Sequence, residues 1–409
     1  MKEQIKRKEG KRAFIIGFTC VSTYLASYCV RNLLSVLAPS MCSGGAFTEE
    51  LVGTLSSVYL LLYALGQLVN GRIGDVIRPK FMVATGIFAW GIFAILFSFE
   101  SVGWLQIVYF GFMGFSLSML RGPIVKTICE NSPAKYAHVS CVFLSFTASA
   151  GPLIASLIAM AFKWNVAFFA AGILSMSVGV LIFLLLTVFE RRGIIHAEHE
   201  KKKRQRGGFL ALFKLDNFVL YMCVGMVCEI ASTAISFWLP TYINQRLGFD
   251  ETSANMIFSG ISVITAIMPF ATLFILALWK NKDVRMMRCM FFVAAALFAC
   301  AVLFTNKYLN VVFILAAMMA LRACSSLLWT VYIPNQAKSG LVSSLNGFLD
   351  FSGYVAATAA NFVFSFLKNV IGWGGIVWIW AALALLGTVV TLFHKKSKQP
   401  DCEEESVAV

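Results

Sequence analysis

Charge is what this sequence has least of. Only 13% of its 409 residues are Asp, Glu, Lys or Arg, against about 25% in an average soluble chain. Acids are scarcer than bases, 20 against 34. Several motifs are absent too, and each absence excludes a class of function. There is no GxxxxGK[ST] loop to cradle a nucleotide, so an ATP-driven motor is excluded. There is no nucleophile elbow and no HExxH, so hydrolase chemistry has no machinery and the chain is not read as an enzyme. No ring or filter of repeated ligands suits a channel. The eleven cysteines show no CxxC and no Cys/His spacing for zinc. Seven of them (Cys20, Cys29, Cys223, Cys228, Cys289, Cys300 and Cys324) fall inside apolar runs and read as small apolar fillers. No metal or other cofactor is expected. The basic opening "MKEQIKRKEGKR" leads into a full apolar run with no small-residue cleavage site, so no signal peptide is expected.

What the chain does have is hydrophobicity, 59% of residues with a mean hydropathy of +0.79. Its apolar runs repeatedly reach the ~20 residues that a spanning helix needs. They predict an all-α integral membrane protein with twelve spans, at 13–39, 49–71, 81–98, 104–126, 138–161, 165–189, 213–241, 252–279, 286–305, 309–332, 341–367 and 373–394. The longest polar break, "ERRGIIHAEHEKKKRQRGG", divides them into two sets of six. The predicted organisation is an N-terminal bundle at 1–189, a basic linker at 190–212, a C-terminal bundle at 213–394 and a tail at 395–409. Loops on the side of the N-terminus carry 26 Lys/Arg, and the opposite side carries four: Lys163, Arg246, Lys307 and Lys368. That bias predicts both termini in the cytoplasm. The basic residues hug the membrane and suit anionic lipid headgroups, so the bilayer is the expected partner and nucleic acid is not.

An internal repeat supports the division. "LRGPIVKTICENSPAK" in span 4 aligns with "LRACSSLLWTVYIPNQAK" in span 10, and Arg121 and Arg322 each lie twelve residues before a proline, Pro133 and Pro334. Arg31 precedes Pro39 by eight residues, and Ser232 precedes Pro240 by eight. Two related six-helix halves are transporter architecture, with the substrate near mid-membrane.

Five charges lie deep within spans: Arg31, Arg121, Glu229, Arg322 and Asp350. A charge at that depth costs at least ~2.5–3.5 kcal/mol and marks function by default. Tyr24, Tyr28, Arg31 and Ser35 share one helix face. The arginine's fork of donors suits carboxylate or phosphate, and the alternative is a structural ion pair. Arg322 shares its face with Ser325 and Ser326 and reads either as a substrate contact or as a partner of Asp350. Arg121 reads as a substrate contact or a cytoplasmic gate contact. Glu229 heads a face with Ser232, Thr233 and Ser236. It could carry a proton, since burial and a nearby arginine push a carboxyl in opposite directions, or it could pair permanently with an arginine. Asp350, on a face with Asn346 and Tyr354, allows the same two readings. Tyr59, Tyr63, Gln67 and Asn70 form a polar stripe on span 2, for packing and gating or for sugar hydroxyls. His138, His196, His199 and His394 are assigned no chemistry.

The turn "GRIGDVIRPK" resembles the cytoplasmic loop motif of the major facilitator superfamily, with Gly71, Asp75, Arg78 and Lys80 matching and Val76 where a basic residue is usual. "YCVRNLLSVLAPSM", "YALGQLVNGRIGDVIRPKFMVATG" and "FWLPTYINQRLGF" are most similar to the organophosphate:phosphate antiporters, the glycerol-3-phosphate and hexose-phosphate carriers. Tyr28, Arg31 and Pro39 match the pattern of their first span. Their second arginine, in span 7, is replaced here by Ser232. The resemblance implies the major facilitator fold, with spans 1, 4, 7 and 10 around a cavity and Gly71, Asp75, Arg78 and Lys80 as a conformational latch. It implies a monomeric carrier of a small organic anion in the bacterial inner membrane, working by alternating access and exchange against phosphate. Arg31 would be the first anion ligand and Arg322 or Arg121 the second, with Tyr24, Tyr28, Tyr63, Ser232 and Ser236 around them. Proton-coupled symport of a carboxylate or sugar acid through Glu229 or Asp350 is the alternative, and a multidrug exporter is the third reading.

Overall fold

The computed structural model describes residues 2–43, 47–195, 208–279, 282–304 and 306–394. His196, His199, most of the basic linker and the tail from 395 lie outside the described residues. Every element among the described residues is helical. Helices α1 (Glu9–Ala38), α2 (Glu50–Val76), α3 (Pro79–Phe99), α4 (Gly103–Asn131), α6 (Trp164–Arg191), α7 (Phe218–Gln245), α9 (Asp283–Leu303) and α10 (Lys307–Asn335) are each long and apolar enough to cross a bilayer. The helix α5, Ala134–Ala161, has 28 residues. The pieces Met256–Ala266 and Met268–Leu278, bent by 45°, form α8. The bend sits at Ile267, just ahead of Pro269, whose ring cannot follow a straight helix.

The final helical stretch, Val342–Leu392, runs for 51 residues. At 1.5 Å per residue that is about 77 Å, far beyond the ~30 Å of a hydrocarbon core. It is two spans, α11 (342–371) and α12 (373–392), joined at Gly372. There the backbone adopts φ 67° and ψ −179°, a conformation that costs only glycine little. The twelve spans expected from the apolar runs are therefore present as helices in this order. The first begins earlier than the apolar run, with helix from Lys2.

Spans 1, 4, 7 and 10 are irregular, and each irregularity precedes a proline. In α1 the helix turns at Asn32, whose Nδ2 donates to the Tyr28 carbonyl at 2.7 Å. A side chain that takes a backbone acceptor in this way competes with the helical ladder. In α4 residues 118–120 tighten into i→i+3 bonds, Met119 N to Ser116 O and Leu120 N to Leu117 O. Pro123 follows, with no N–H for the carbonyl four residues back. In α7 a π-helical turn, Ile230–Ile235, precedes Pro240. In α10 another, Leu328–Tyr332, precedes Pro334. Such π turns occur most often at functional sites.

The chain divides into two compact units. One is Met1–Leu212 with Ile333–Phe351, and the other is Phe213–Tyr332 with Ser352–Val409. Within the first, α1 packs on α5, α2 on α4, and α3 on both α6 and α4. Its core is aromatic at one end, where Phe97, Phe110 and Phe168 meet in tilted and edge-to-face pairs with centroids 4.8–6.2 Å apart. Within the second, α10 packs against α9, against the second half of α8 and against α7. Trp380 and Phe298, both fully buried, meet at 5.8 Å. Residues 333–351 carry the end of α10 and the first turns of α11 into the first unit.

Candidate functional site

The first unit gathers most of the sequence-predicted residues. Arg31, at the last turn before the break at Asn32, lies over two aromatic faces. Its guanidinium carbon is 4.3 Å from the centroid of Tyr63 and 5.5 Å from that of Tyr28. Each such contact contributes about 0.5–2 kcal/mol, and two of them go far to offset the ~2.5–3.5 kcal/mol cost of a charge at this depth. The tyrosines are themselves braced. Tyr28 meets Tyr24 edge to face at 5.1 Å, and Tyr63 stacks on Tyr59 at 6.4 Å. Tyr24, Tyr59 and Tyr63 are 3–5% exposed, and among the described residues the hydroxyls of Tyr24 and Tyr59 have no hydrogen-bond partner. Buried donors of that kind are uncommon and call for an explanation. Stacking uses the faces of a guanidinium, whose N–H donors lie in its plane.

Arg121 opens the second piece of α4, directly after the tightened turn. Its Nη1 donates to both carboxylate oxygens of Asp350 on α11, at 2.7 and 3.0 Å. The Arg121 side chain is 19% exposed and that of Asp350 only 3%. The sequence offers a pairing with Asp350 as one of two roles for Arg322; the structure gives the carboxylate a partner in Arg121. The reason is tertiary, because the first turns of α11 lie against α4 within one unit. Tyr24 and Tyr63 both lie within electrostatic range of Arg121 and Asp350, and Tyr63 also of Arg31. Tyr24, Tyr28, Arg31, Tyr63, Arg121 and Asp350 thus form one cluster of two cations, one carboxylate and three aromatic rings, in which Tyr24, Tyr63 and Asp350 are buried and Tyr28, Arg31 and Arg121 half-buried.

The loop-motif residues are brought together at one end of this unit. Asp75 accepts the backbone N–H groups of Ser343 and Ser344 through its two oxygens, at 3.0 Å each, and so caps the start of α11. A carboxylate there satisfies amides that have no partner within the helix. Lys80 Nζ bonds Glu190 Oε2 at 2.6 Å, and Arg78 lies 4.0 Å from the same oxygen. Gly71 meets Gly347 backbone to backbone. A Cβ on Gly71 would come within 3.0 Å of the Gly347 Cα and of the Ser343 carbonyl, so only glycine allows α2 and α11 to cross here.

Some residues in this region escaped sequence reasoning. Lys126, 4% exposed, donates to the carbonyls of Gly74 and Asp75 at 3.1 and 2.9 Å. It neutralises the negative end of α2. The only signal was a lysine five residues after Arg121 in an apolar helix. Glu190 was read as linker, yet it is the acceptor for Lys80. His138, to which no chemistry was assigned, bonds Asn335 Oδ1 through Nε2 at 3.2 Å.

The second unit holds the remaining candidates. Glu229 ends the regular part of α7 and its Oε1 accepts from Thr233 at 3.2 Å. Its Cβ and Cγ lie against Gly353, where an added Cβ would sit 2.9 and 3.0 Å away. Ser232 is half-buried on the π turn. Ser236 donates to the Ala231 carbonyl at 3.2 Å, spanning the π turn. Cys228 lies 4.0 Å from the Leu321 carbonyl, which puts α7 beside α10 one residue before Glu229 and one before Arg322. Ser325 and Ser326, three and four residues after Arg322, are buried, and the Ser326 hydroxyl has no partner among the described residues. Among the described residues no group of three or more His, Cys, Asp or Glu side chains could hold a metal ion.

Comparison with known proteins gives this arrangement a family context. The model of the Major Facilitator Superfamily matches residues 20–360. A glucose-6-phosphate exchanger of Xenopus tropicalis is 22% identical over 259 residues, 51% of this chain and 51% of that protein. The chain spans about half the length of the glucose-6-phosphate exchangers it matches. A Cupriavidus necator protein described as a "probable sulfoacetate transporter" is 22% identical over 432 aligned positions, 99% of this chain and 98% of that one. Among solved structures, the transporter FucP in its outward conformation superposes with a TM-score of 0.74 at 15% identity, covering 94% of this chain and 100% of its own. That last likeness is one of fold.

Proposed function

This chain belongs to the Major Facilitator Superfamily, and from that premise we propose that it carries a small organic anion across the bacterial inner membrane by exchange against a second anion such as phosphate. The observation that carries this reading is the Arg31–Arg121 cluster. Two arginines, Arg31 and Arg121, lie in one group with Tyr24, Tyr28 and Tyr63 and with the carboxylate of Asp350. Arginine binds phosphate and carboxylate by its fork of donors. Arg31 is the first anion ligand in this reading, seated on Tyr28 and Tyr63, and Arg121 is the second. Tyr24 supplies a buried hydroxyl. Arg322, Ser232 and Ser236 are the second unit's own candidates for substrate contact. Gly71, Asp75, Arg78 and Lys80 form the latch that holds the start of α11. The carrier works as a monomer with both termini in the cytoplasm, and the two six-helix halves alternate in exposing the site. Relatives named for glucose-6-phosphate and sulfoacetate support an anionic cargo.

A second reading has one observation in its favour. Glu229 lies beside a π turn, and such turns occur most often at functional sites, which suits a role in symport of a carboxylate.

Uptake into proteoliposomes separates the two. With internal phosphate and no pH gradient, exchange predicts accumulation of labelled glucose 6-phosphate. Accumulation that needs a pH gradient and ignores internal phosphate would establish symport instead. In that case Glu229→Gln should abolish net uptake and spare exchange of labelled for unlabelled substrate.

A further inference from the structure

We propose that Lys126 is a positioning residue for the Asp75 cap: from α4 it holds the end of α2 and supplies the charge that keeps the Asp75 carboxylate on the amides of α11. This deepens the latch reading above and rests on it.

Three helices of the first unit meet at this point. A Cβ on Gly74 of α2 or on Gly122 of α4 would run into the Ser343 hydroxyl of α11. The two glycines therefore seat Ser343 between their helices. Lys126 lies one turn beyond Gly122 on α4, and its Nζ donates to the carbonyls of Gly74 and Asp75 at 3.1 and 2.9 Å. The Asp75 carboxylate in turn accepts the Ser343 and Ser344 amides at 3.0 Å each. One lysine thus grips the stretch of backbone that carries the capping side chain.

The same lysine answers an electrostatic conflict. Asp75 sits in the last turn of α2, where the negative end of its own helix disfavours a carboxylate, while the positive end of α11 favours it. The ammonium of Lys126 offsets the first effect, because it acts on Asp75 through its charge as well as through the backbone. Lys126 is 4% exposed and Asp75 half-buried, so salt screens their attraction less than it would on an open surface. Lys126 faces Asp75 from α4, and Ser343 and Ser344 face it from α11. Arg78 and Lys80, past the end of α2, are engaged with Glu190 of α6. A lysine that only packed α4 against α2 would also be buried and bonded. Its loss would loosen the joint whether or not Asp75 carried a carboxylate.

The test measures the protection of the Ser343 and Ser344 amides by hydrogen exchange, in the purified full chain in detergent, over a pH series. An adjacent cation favours the ionised carboxylate, and that form accepts through both oxygens. Protection is therefore present at higher pH and is lost as the pH falls through the midpoint of the carboxyl. In Lys126→Met the carboxyl takes up its proton at a higher pH. We expect the midpoint for these two amides to rise by about one pH unit, a tenfold change in proton affinity. On an Asp75→Ala background, Lys126→Met should change nothing further at either amide. An unshifted midpoint in Lys126→Met, or a further loss of protection on the Asp75→Ala background, overturns the proposal. Should Lys126→Met alone not fold, the stranded carboxylate is the cause in this account, and the double variant with Asp75→Ala should fold. A double variant that also fails to fold overturns the proposal. If Asp75→Ala protects both amides as the parent does, the latch reading fails at its cap and this inference with it. Loss of protection in Asp75→Ala with no effect of Lys126→Met defeats the inference alone.

Discussion

Arg31 and Arg121 hold a cation at membrane depth in two different ways. Arg31 rests on the faces of Tyr28 and Tyr63, and Arg121 is neutralised by Asp350. The first way needs a flat, delocalised cation. An ammonium is a compact point charge with no face to stack and no fork to present. Arg31→Lys therefore keeps the charge and loses both properties. A hydrogen bond to a charged group is worth about 1.5–3 kcal/mol, which is about tenfold or more in affinity. We expect Arg31→Lys to insert and fold, and to bind inorganic phosphate or glucose 6-phosphate at least tenfold more weakly. Parent-like affinity in calorimetry would remove Arg31 from the site. Arg31 was legible in the sequence because a lone arginine in an apolar run stands out, Tyr28 because it shares that helix face, and Tyr63 because it belongs to a polar stripe on span 2. The Asp350–Arg121 pair was not. Its members are 229 residues apart, and which arginine a buried acid meets depends on how helices cross, which no local pattern encodes.

Proline and capping decide the behaviour of single helices. Each of the four spans 1, 4, 7 and 10 departs from regular helix shortly before a proline, and each departure sits within a few residues of a deep charge or its repeat-related position. The prolines and their spacing were readable, but the kind of break was not. Whether a helix turns, tightens or widens depends on which neighbour accepts the freed carbonyl. The Asp75 cap on α11 was half legible in the same sense. Asp75 was recognisable within its motif, whereas its partners, the Ser343 and Ser344 amides, lie 268 and 269 residues away. Replacing an N-capping side chain by alanine costs about 0.5–2 kcal/mol. Asp75→Ala should accordingly speed exchange of the Ser343 and Ser344 amides, by roughly 5–30-fold if the loss is 1–2 kcal/mol. The change should stay local to the start of α11. Unaltered protection at those two amides would mean that the cap adds nothing to the segment.

At the scale of the whole molecule, the strongest signal was the hydrophobic runs, and the twelve helices follow them closely. Even the 51-residue stretch Val342–Leu392 resolves at Gly372 into the two spans the sequence marked out. Hydropathy reads well here because lipid leaves a spanning backbone no partner but itself, so an apolar run of the right length has to be a helix. Orientation rests on a different term, the uneven placement of Lys and Arg between alternate loops, 26 against four. Basic loops are retained in the cytoplasm during insertion. Lys214, just before α7, belongs to the basic side, and Arg246, just after α7, belongs to the sparse side. In a variant freed of its native cysteines, Lys214→Cys and Arg246→Cys give one reporter on each side of that span. A membrane-impermeant maleimide applied to intact cells should modify position 246 and leave 214 unlabelled until the membrane is opened. Labelling at 214 and not at 246 would invert the topology. It would move the Asp75–Ser343 contact to the outer face, opposite to the side that the charge bias predicts.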